Sequence, residues 1–215
     1  MKILDWLKDL IFPVIREKET PENFADCPPI IFRVGVIEFA DNVNADSGLA
    51  LAKLLGGYDD LKVFYFDEPF GKNFLTLESR TIFDLIDKGQ DIIDKTKTDV
   101  IIWGYREGDK IRLNFQTDKQ YEYEDKSFVS LLDSLYIPAV SEANAAVFPE
   151  ALLNLIHGAV ISAVTPPDTE TRIYRRYLLK KIIHELTVDN SAKNLPSEYM
   201  PYIMNFLGII YLSYA

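Results

Sequence analysis

The chain has 215 residues, 48% of them apolar, and carries 23 Lys and Arg against 33 Asp and Glu, for a formal charge of -10. Such a length allows one domain with an attachment, or two small domains, around a sizeable core, and such an acidic surface disfavours phosphate backbones, so no nucleic-acid partner is expected. The single cysteine, Cys27, excludes an internal disulfide and a cysteine-rich zinc site and fits a reducing compartment; no apolar run is long enough to span a bilayer, and Asp5, Lys8 and Asp9 interrupt what would be the core of a signal peptide.

Residues 1–29 read as an amphipathic helix and a linker. Ile3, Leu4, Leu7, Leu10, Ile11, Val14 and Ile15 recur at helical spacing. Trp6, Leu7 and Leu10 are its candidate partner-binding residues. Residues 1–16 also make a peripheral membrane contact a rival reading, although Lys2 and Lys8 are offset by Asp5 and Asp9, which removes electrostatic help on anionic lipid.

Residues 30–126 read as an α/β domain. "IIFRVGVIEF" and "LKVFYF" are strands, rich in β-branched and aromatic residues. Between them "NADSGLALAKLLGG" is a short helix, with Asn44 or Asp46 as N-cap and Gly56-Gly57 as its stop. "TLESRTIFDLIDKGQDIIDKTK" is a long helix with Gly89 as a weak point. "VIIWGY" is apolar on both faces, which fits a central parallel strand covered on both sides. The turn at Glu107, Gly108 and Asp109 returns the chain antiparallel. There Ile111, Leu113 and Phe115 are expected to point inward and Arg112 and Asn114 to face solvent at the sheet edge, with "QYEYED" extending that edge.

Residues 127–215 read as helical. "SFVSLLDSLYIP" is a short segment, "FPEALLNLIHGAVISAV" is apolar nearly all round and hence buried, and "TETRIYRRYLLKKIIHELT" is amphipathic. "SEYMPYIMNFLGIIYLSYA" is a strongly apolar helix with Pro201 as a candidate kink. The expected fold is therefore α/β: a small, mostly parallel sheet with crossover helices and an antiparallel edge hairpin, followed by a C-terminal helical region.

Residues 30 to about 165 resemble the TolB N-terminal-like domain, an α/β module that precedes tetratricopeptide repeats in many bacterial proteins. The resemblance rests on "VGVIEFADN", on the helix ending "ALAKLL" and on "TDVIIWGYREGDKIRLNFQ", where Asp99 precedes the apolar strand Val100–Gly104 and the alternating strand Ile111–Phe115 follows. Leu207, Gly208 and Tyr211 spell L-G-x-x-Y, which resembles the first helix of a tetratricopeptide repeat, with Gly208 permitting close approach of a neighbouring helix. The resemblance brings no shared catalytic set and implies an assembly or sensing role.

Signals for chemistry are sparse. Asp41, Asp46, Asp67 and Glu68 fall near the carboxyl ends of parallel strands, where open sheets place ligands and where oxygen clusters suit hard cations; as helix caps and solvated loop charges they need no ligand. "FGKNF" lacks the P-loop glycine spacing and has Asn73 where Ser or Thr is needed. Of the two histidines, His157 lies in an apolar helix and reads as a bonded core residue, while "HELTV" at His184 lacks the second histidine of a zinc helix. The sharpest surface feature is basic. Arg172, Arg176 and Lys180 share a helix face with Arg175 and Lys181 nearby, interleaved with Tyr174 and Tyr177; it reads either as a solvated face paired with local acids or as a docking place for an acidic partner or a second copy.

The expected function is thus a non-catalytic protein–protein interaction or scaffold subunit of a larger bacterial assembly, cytoplasmic or peripheral to the inner membrane. It would bind other subunits or its own copy through Trp6, Leu7, Leu10, Arg172, Arg175, Arg176, Lys180, Phe206 and Tyr211, with no cofactor. The rival is a metal- or small-molecule-sensing domain, or an enzyme, using Asp41, Asp46, Asp67 and Glu68.

Overall fold

A computed structural model describes residues 30–40, 47–68, 79–117, 134–138, 150–164, 168–187 and 200–214. Three strands alternate with two helices at the start: β1 (Phe32–Ile37), α1 (Ser47–Leu55), β2 (Leu61–Phe66), α2 (Ser79–Thr96) and β3 (Val100–Glu107). β4 (Lys110–Gln116) and β5 (Ser134–Pro138) complete a sheet of order β2-β1-β3-β4-β5. β1 pairs in parallel with β2 and β3, and the β3–β4 and β4–β5 ladders are antiparallel. The sheet is mixed, and the class is α/β with C-terminal helices.

Local chemistry places the element ends. α1 stops at Gly56-Gly57, where Gly56 N–H and Gly57 N–H donate to Ala52 O and Leu54 O. α2 ends on Lys97 in the left-handed region at φ 56°, with its N–H on Ile93 O, and Gly108 takes φ 67° in the β3–β4 turn. Asp99 opens β3 by accepting Arg33 N–H at 2.7 Å, and Arg33 reaches Thr96 O at the same distance, so β1 is tied to the α2–β3 connection.

The first crossover runs from β1 to β2 and the second runs the other way, from β2 past β1 to β3; both being right-handed, α1 and α2 fall on opposite faces. The face under α1 is apolar throughout: Val34, Val36, Val100, Ile102, Leu113 and Phe115 have essentially no exposure. The other face mixes Ile37, Ile101 and Trp103 with Arg33, Arg112, Asn114 and Gln116, and α2 packs Ile93 against it. Val100–Trp103 is buried on both sides, as a central strand requires.

Three helices complete the apolar side: α3 (Glu150–Ala163), α4 (Thr169–Thr187) and α5 (Met200–Tyr214). Their residues Leu155, Val160, Leu179, Ile183, Phe206 and Ile210 share one core with the strands. The expected boundary at 126/127 therefore does not separate two cores. β5 lies beyond that boundary yet belongs to the sheet, and the helices bury the sheet's apolar face.

Several expectations are corrected. The fifth strand is "SLYIP" within the segment expected to be helical, while "QYEYED" lies outside the described residues. Because β5 takes the edge, Asn114 is buried and Arg112 half-buried, its guanidinium donating to Tyr105 OH at 3.0 Å. Pro201 stands in the first turn of α5, where its missing N–H costs nothing, and makes no kink in the middle of that helix. Gly208 is exposed, and a Cβ there would meet nothing within 4 Å. The close approach occurs at Gly158 of α3, where a Cβ would run into Ile210 and Ile182.

Candidate functional site

In the order β2-β1-β3 the chain reverses direction across β1, and the crevice beyond the carboxyl ends of β1 and β3 is where such sheets receive ligands. Among the described residues, the segment after β1 is bonded across the ends of its neighbours. Beyond β1, Glu38 N–H donates to Phe66 O at 2.8 Å, Ala40 N–H to Gly104 O at 3.0 Å, and Arg106 N–H to Ala40 O at 3.0 Å. The strap Glu38–Ala40 is thus bonded to both neighbouring strands, and Ala40 bridges Tyr105 in parallel.

The Glu38 side chain closes the same place. It is 4% exposed. One carboxylate oxygen accepts Phe39 N–H at 3.0 Å and Gly48 N–H at 3.2 Å; the other accepts Leu49 N–H at 3.3 Å and Tyr65 OH at 2.6 Å. The N-terminal N–H groups of a helix need acceptors and favour negative charge. α1 has no acidic residue in its first turn, and Glu38 supplies the charge from outside the helix. Gly48 is required by this approach, since a Cβ would lie 2.9 Å from Glu38 Cα. The position that would hold a phosphate in many α/β proteins is occupied by the chain's own carboxylate.

A second polar cluster fastens the α1–β2 turn to α3. Asp60 is 6% exposed, and its side chain lies 2.8 Å from His157 Nε2. Its backbone carbonyl accepts Phe32 N–H at 2.8 Å. Tyr58 lays its ring against His157, 4.1 Å between centroids, and donates its hydroxyl to Asn154 Oδ1 at 2.7 Å. Burial first, and then the nearby Glu185, Glu150 and Asp60, push the Tyr58 phenol above its ordinary range. Among the described residues no serine or cysteine is bonded to His157. Sequence reading identified His157 as a bonded core residue; Asp60, 97 residues away, carried no signal.

The third region is the outer face of α4. Asp168 caps the helix, accepting Thr171 N–H at 2.7 Å, and that bond above all holds its carboxyl below the usual range. Arg172 and Arg176 are exposed, Lys180 is half-buried, and Lys181 is exposed with Glu185 at 4.0 Å. Between them Ile173 and Tyr177 remain 41% and 43% exposed. Arg175 does not belong to this face. It turns inward and donates to Ile161 O at 3.0 Å and Ser162 O at 2.9 Å, satisfying the C-terminal carbonyls of α3. Burial, with Arg172 adding, draws its guanidinium down to about 10.

The other expected site residues are scattered. Phe206 is wholly buried with its ring 5.7 Å from Phe115, so it is core and offers no surface to a partner. Tyr211 is half-buried against that core. Asp67 and Glu68 are exposed at the end of β2. Asp41, Asp46, Trp6, Leu7 and Leu10 lie outside the described residues. Among the described residues no three His, Cys, Asp or Glu side chains converge to hold a metal ion, and no helix is long and apolar enough to cross a membrane. Comparison with protein-family models, curated proteins and solved structures gives no match.

Proposed function

We propose that this chain is a non-catalytic interaction subunit that contributes a rigid body to a larger protein assembly in a reducing, cytoplasmic compartment. The observation that carries the reading is the N-terminus of α1 held by Glu38. Among the described residues, the helix N–H groups that would receive an anion in an α/β sheet donate to Glu38, and Glu38 and Ala40 are bonded to the flanking strands. The polar groups of the second cluster are likewise bonded to one another. Exposed apolar and basic side chains gather instead on the outside of α4. Large exposed side chains of this kind mark contact surfaces when they stand together. The resemblance to the TolB N-terminal-like domain points the same way, as a second and weaker support.

Native mass spectrometry of the full chain, captured gently from its source cells, tests the reading. A discrete, stoichiometric gain in mass from another polypeptide is expected. A bare chain, or one that carries only a metal or small-molecule adduct, would overturn it in favour of the sensing or enzymatic rival.

A further inference from the structure

We propose that the outer face of α4 is the docking surface for an acidic amphipathic helix of a protein partner. The proposal rests on the interaction reading and gives it a place and a chemistry. Two rows run side by side along α4. Arg172, Arg176 and Lys180 follow one another at one-turn spacing, and Ile173 and Tyr177 form an adjacent row one residue further round. The rows extend over roughly 12 Å of helix.

Both rows constrain the occupant. The stripe is basic on a chain of net charge -10, so carboxylates are attracted to it while the chain's overall charge disfavours them. That contrast favours this face for an acidic partner. Arginine offers planar, forked donors that fit carboxylates two bonds at a time. The Ile173 and Tyr177 side chains, 41% and 43% exposed, would serve a partner that also brings apolar side chains; a small carboxylate would leave them unused. Tyrosine and arginine are the residue types that anchor interfaces most often. A helix with carboxylates one turn apart beside a row of apolar residues meets both rows at once, because the ridges of two helices follow the same spacing.

Arg175 sharpens the geometry. At about 100° per residue it falls some 60° to the other side of Arg172, and the carbonyls of Ile161 and Ser162 hold it there. The docking face therefore centres between Arg176 and Tyr177, away from α3.

A library of helical peptides displayed on phage, selected against the full chain and then against the R172E/R176E variant, tests this proposal. Circular dichroism melts serve as the control for folding. Enriched peptides should carry Asp or Glu one turn apart beside apolar residues. Their affinity should fall at least tenfold on the variant and weaken as salt rises. The same affinities on the I173S variant should fall with the salt dependence unchanged. No enrichment, enrichment without an acidic bias, or equal binding to R172E/R176E would overturn the proposal. So would binding of the chain, but not of the variant, to phosphatidylserine-containing vesicles without peptide binding, which would reassign the face to lipid. Dimerisation of the wild-type chain that R172E/R176E abolishes would reassign it to a second copy. A stoichiometric partner in native mass spectrometry that is indifferent to R172E/R176E would spare the interaction reading while removing this one.

Discussion

The carboxyl end of the parallel strands and the outside of α4 treat their polar groups in opposite ways. At the strand ends, Glu38 gathers three backbone N–H groups and the Tyr65 hydroxyl, and is almost wholly buried. On α4, Arg172 and Arg176 stand exposed beside Ile173 and Tyr177. The first region uses its charge to hold the fold together. The second carries charge and apolar area together at the surface. The difference teaches where substitutions should be silent and where they should unfold the chain. It also illustrates why an α/β topology alone is a poor guide to function: the helix N-terminus that topology nominates is bonded by the chain's own Glu38.

The contrast is tested most severely at Glu38. Glu38→Ala leaves the α1 N-terminus and Tyr65 without their acceptor, and the expected loss is about 3 kcal/mol in urea unfolding. A loss below about 0.5 kcal/mol, within the range of ordinary surface changes, would mean that Glu38 does not hold the α1 N-terminus in the way described. Asp60→Ala comes next. It strips His157 of its buried partner and should cost about 2 kcal/mol; His157→Ala should cost a similar amount, and the double variant less than the sum, because the two groups act on each other.

Tyr58→Phe is smaller and carries a pH signature. Burial, helped by Glu185, raises the Tyr58 phenol above its ordinary 10.0, so the folded chain keeps that proton to higher pH than the unfolded chain. The stability this contributes is complete below about pH 10 and is lost as pH rises towards the folded value. The variant should lose about 1 kcal/mol at neutral pH with its hydrogen bond to Asn154, yet show a flatter decline above about pH 10. Urea titrations of both chains across that range check it; parallel declines would deny the phenol its part. Smallest of all is R172E/R176E, whose stability should stay within about 0.5 kcal/mol of wild type although it removes the proposed contact. A melt that collapses in this variant would place the two arginines in the fold and erase the contrast.

Much of the architecture could be read from residues alone. Continuous burial of Val100–Trp103 followed from an apolar run, and the end of α1 followed from Gly56-Gly57. β5 escaped because a segment with serines, leucines and one tyrosine fits either periodicity when it is short; only pairing with β4 decides it. Arg112 and Asn114 were misplaced as a consequence, since the strand that carries them is not the edge. Glu38 was missed for a different reason. It ends an apolar strand and reads as a solvent charge, and apart from Phe39 its partners lie ten and more residues on. The available signal was negative: a helix beginning Ser47-Gly48-Leu49 has no acid of its own in the first turn. Arg175 could have been separated from the basic stripe by its angle on the helix, but not assigned to the carbonyls of α3. Phe206 belonged to an apolar helix whose inner and outer sides the sequence does not distinguish.

Hydroxyl-radical footprinting of the full chain, free and within the assembly captured from its source cells, tests the central claim most directly, because it reads side chains. Tyr177 should be readily oxidised in the free chain and strongly protected in the assembly, with Tyr65 and Phe39 around Glu38 equally slow in both. Undiminished oxidation of Tyr177 in the assembly, or protection that appears instead around Glu38, would contradict the account.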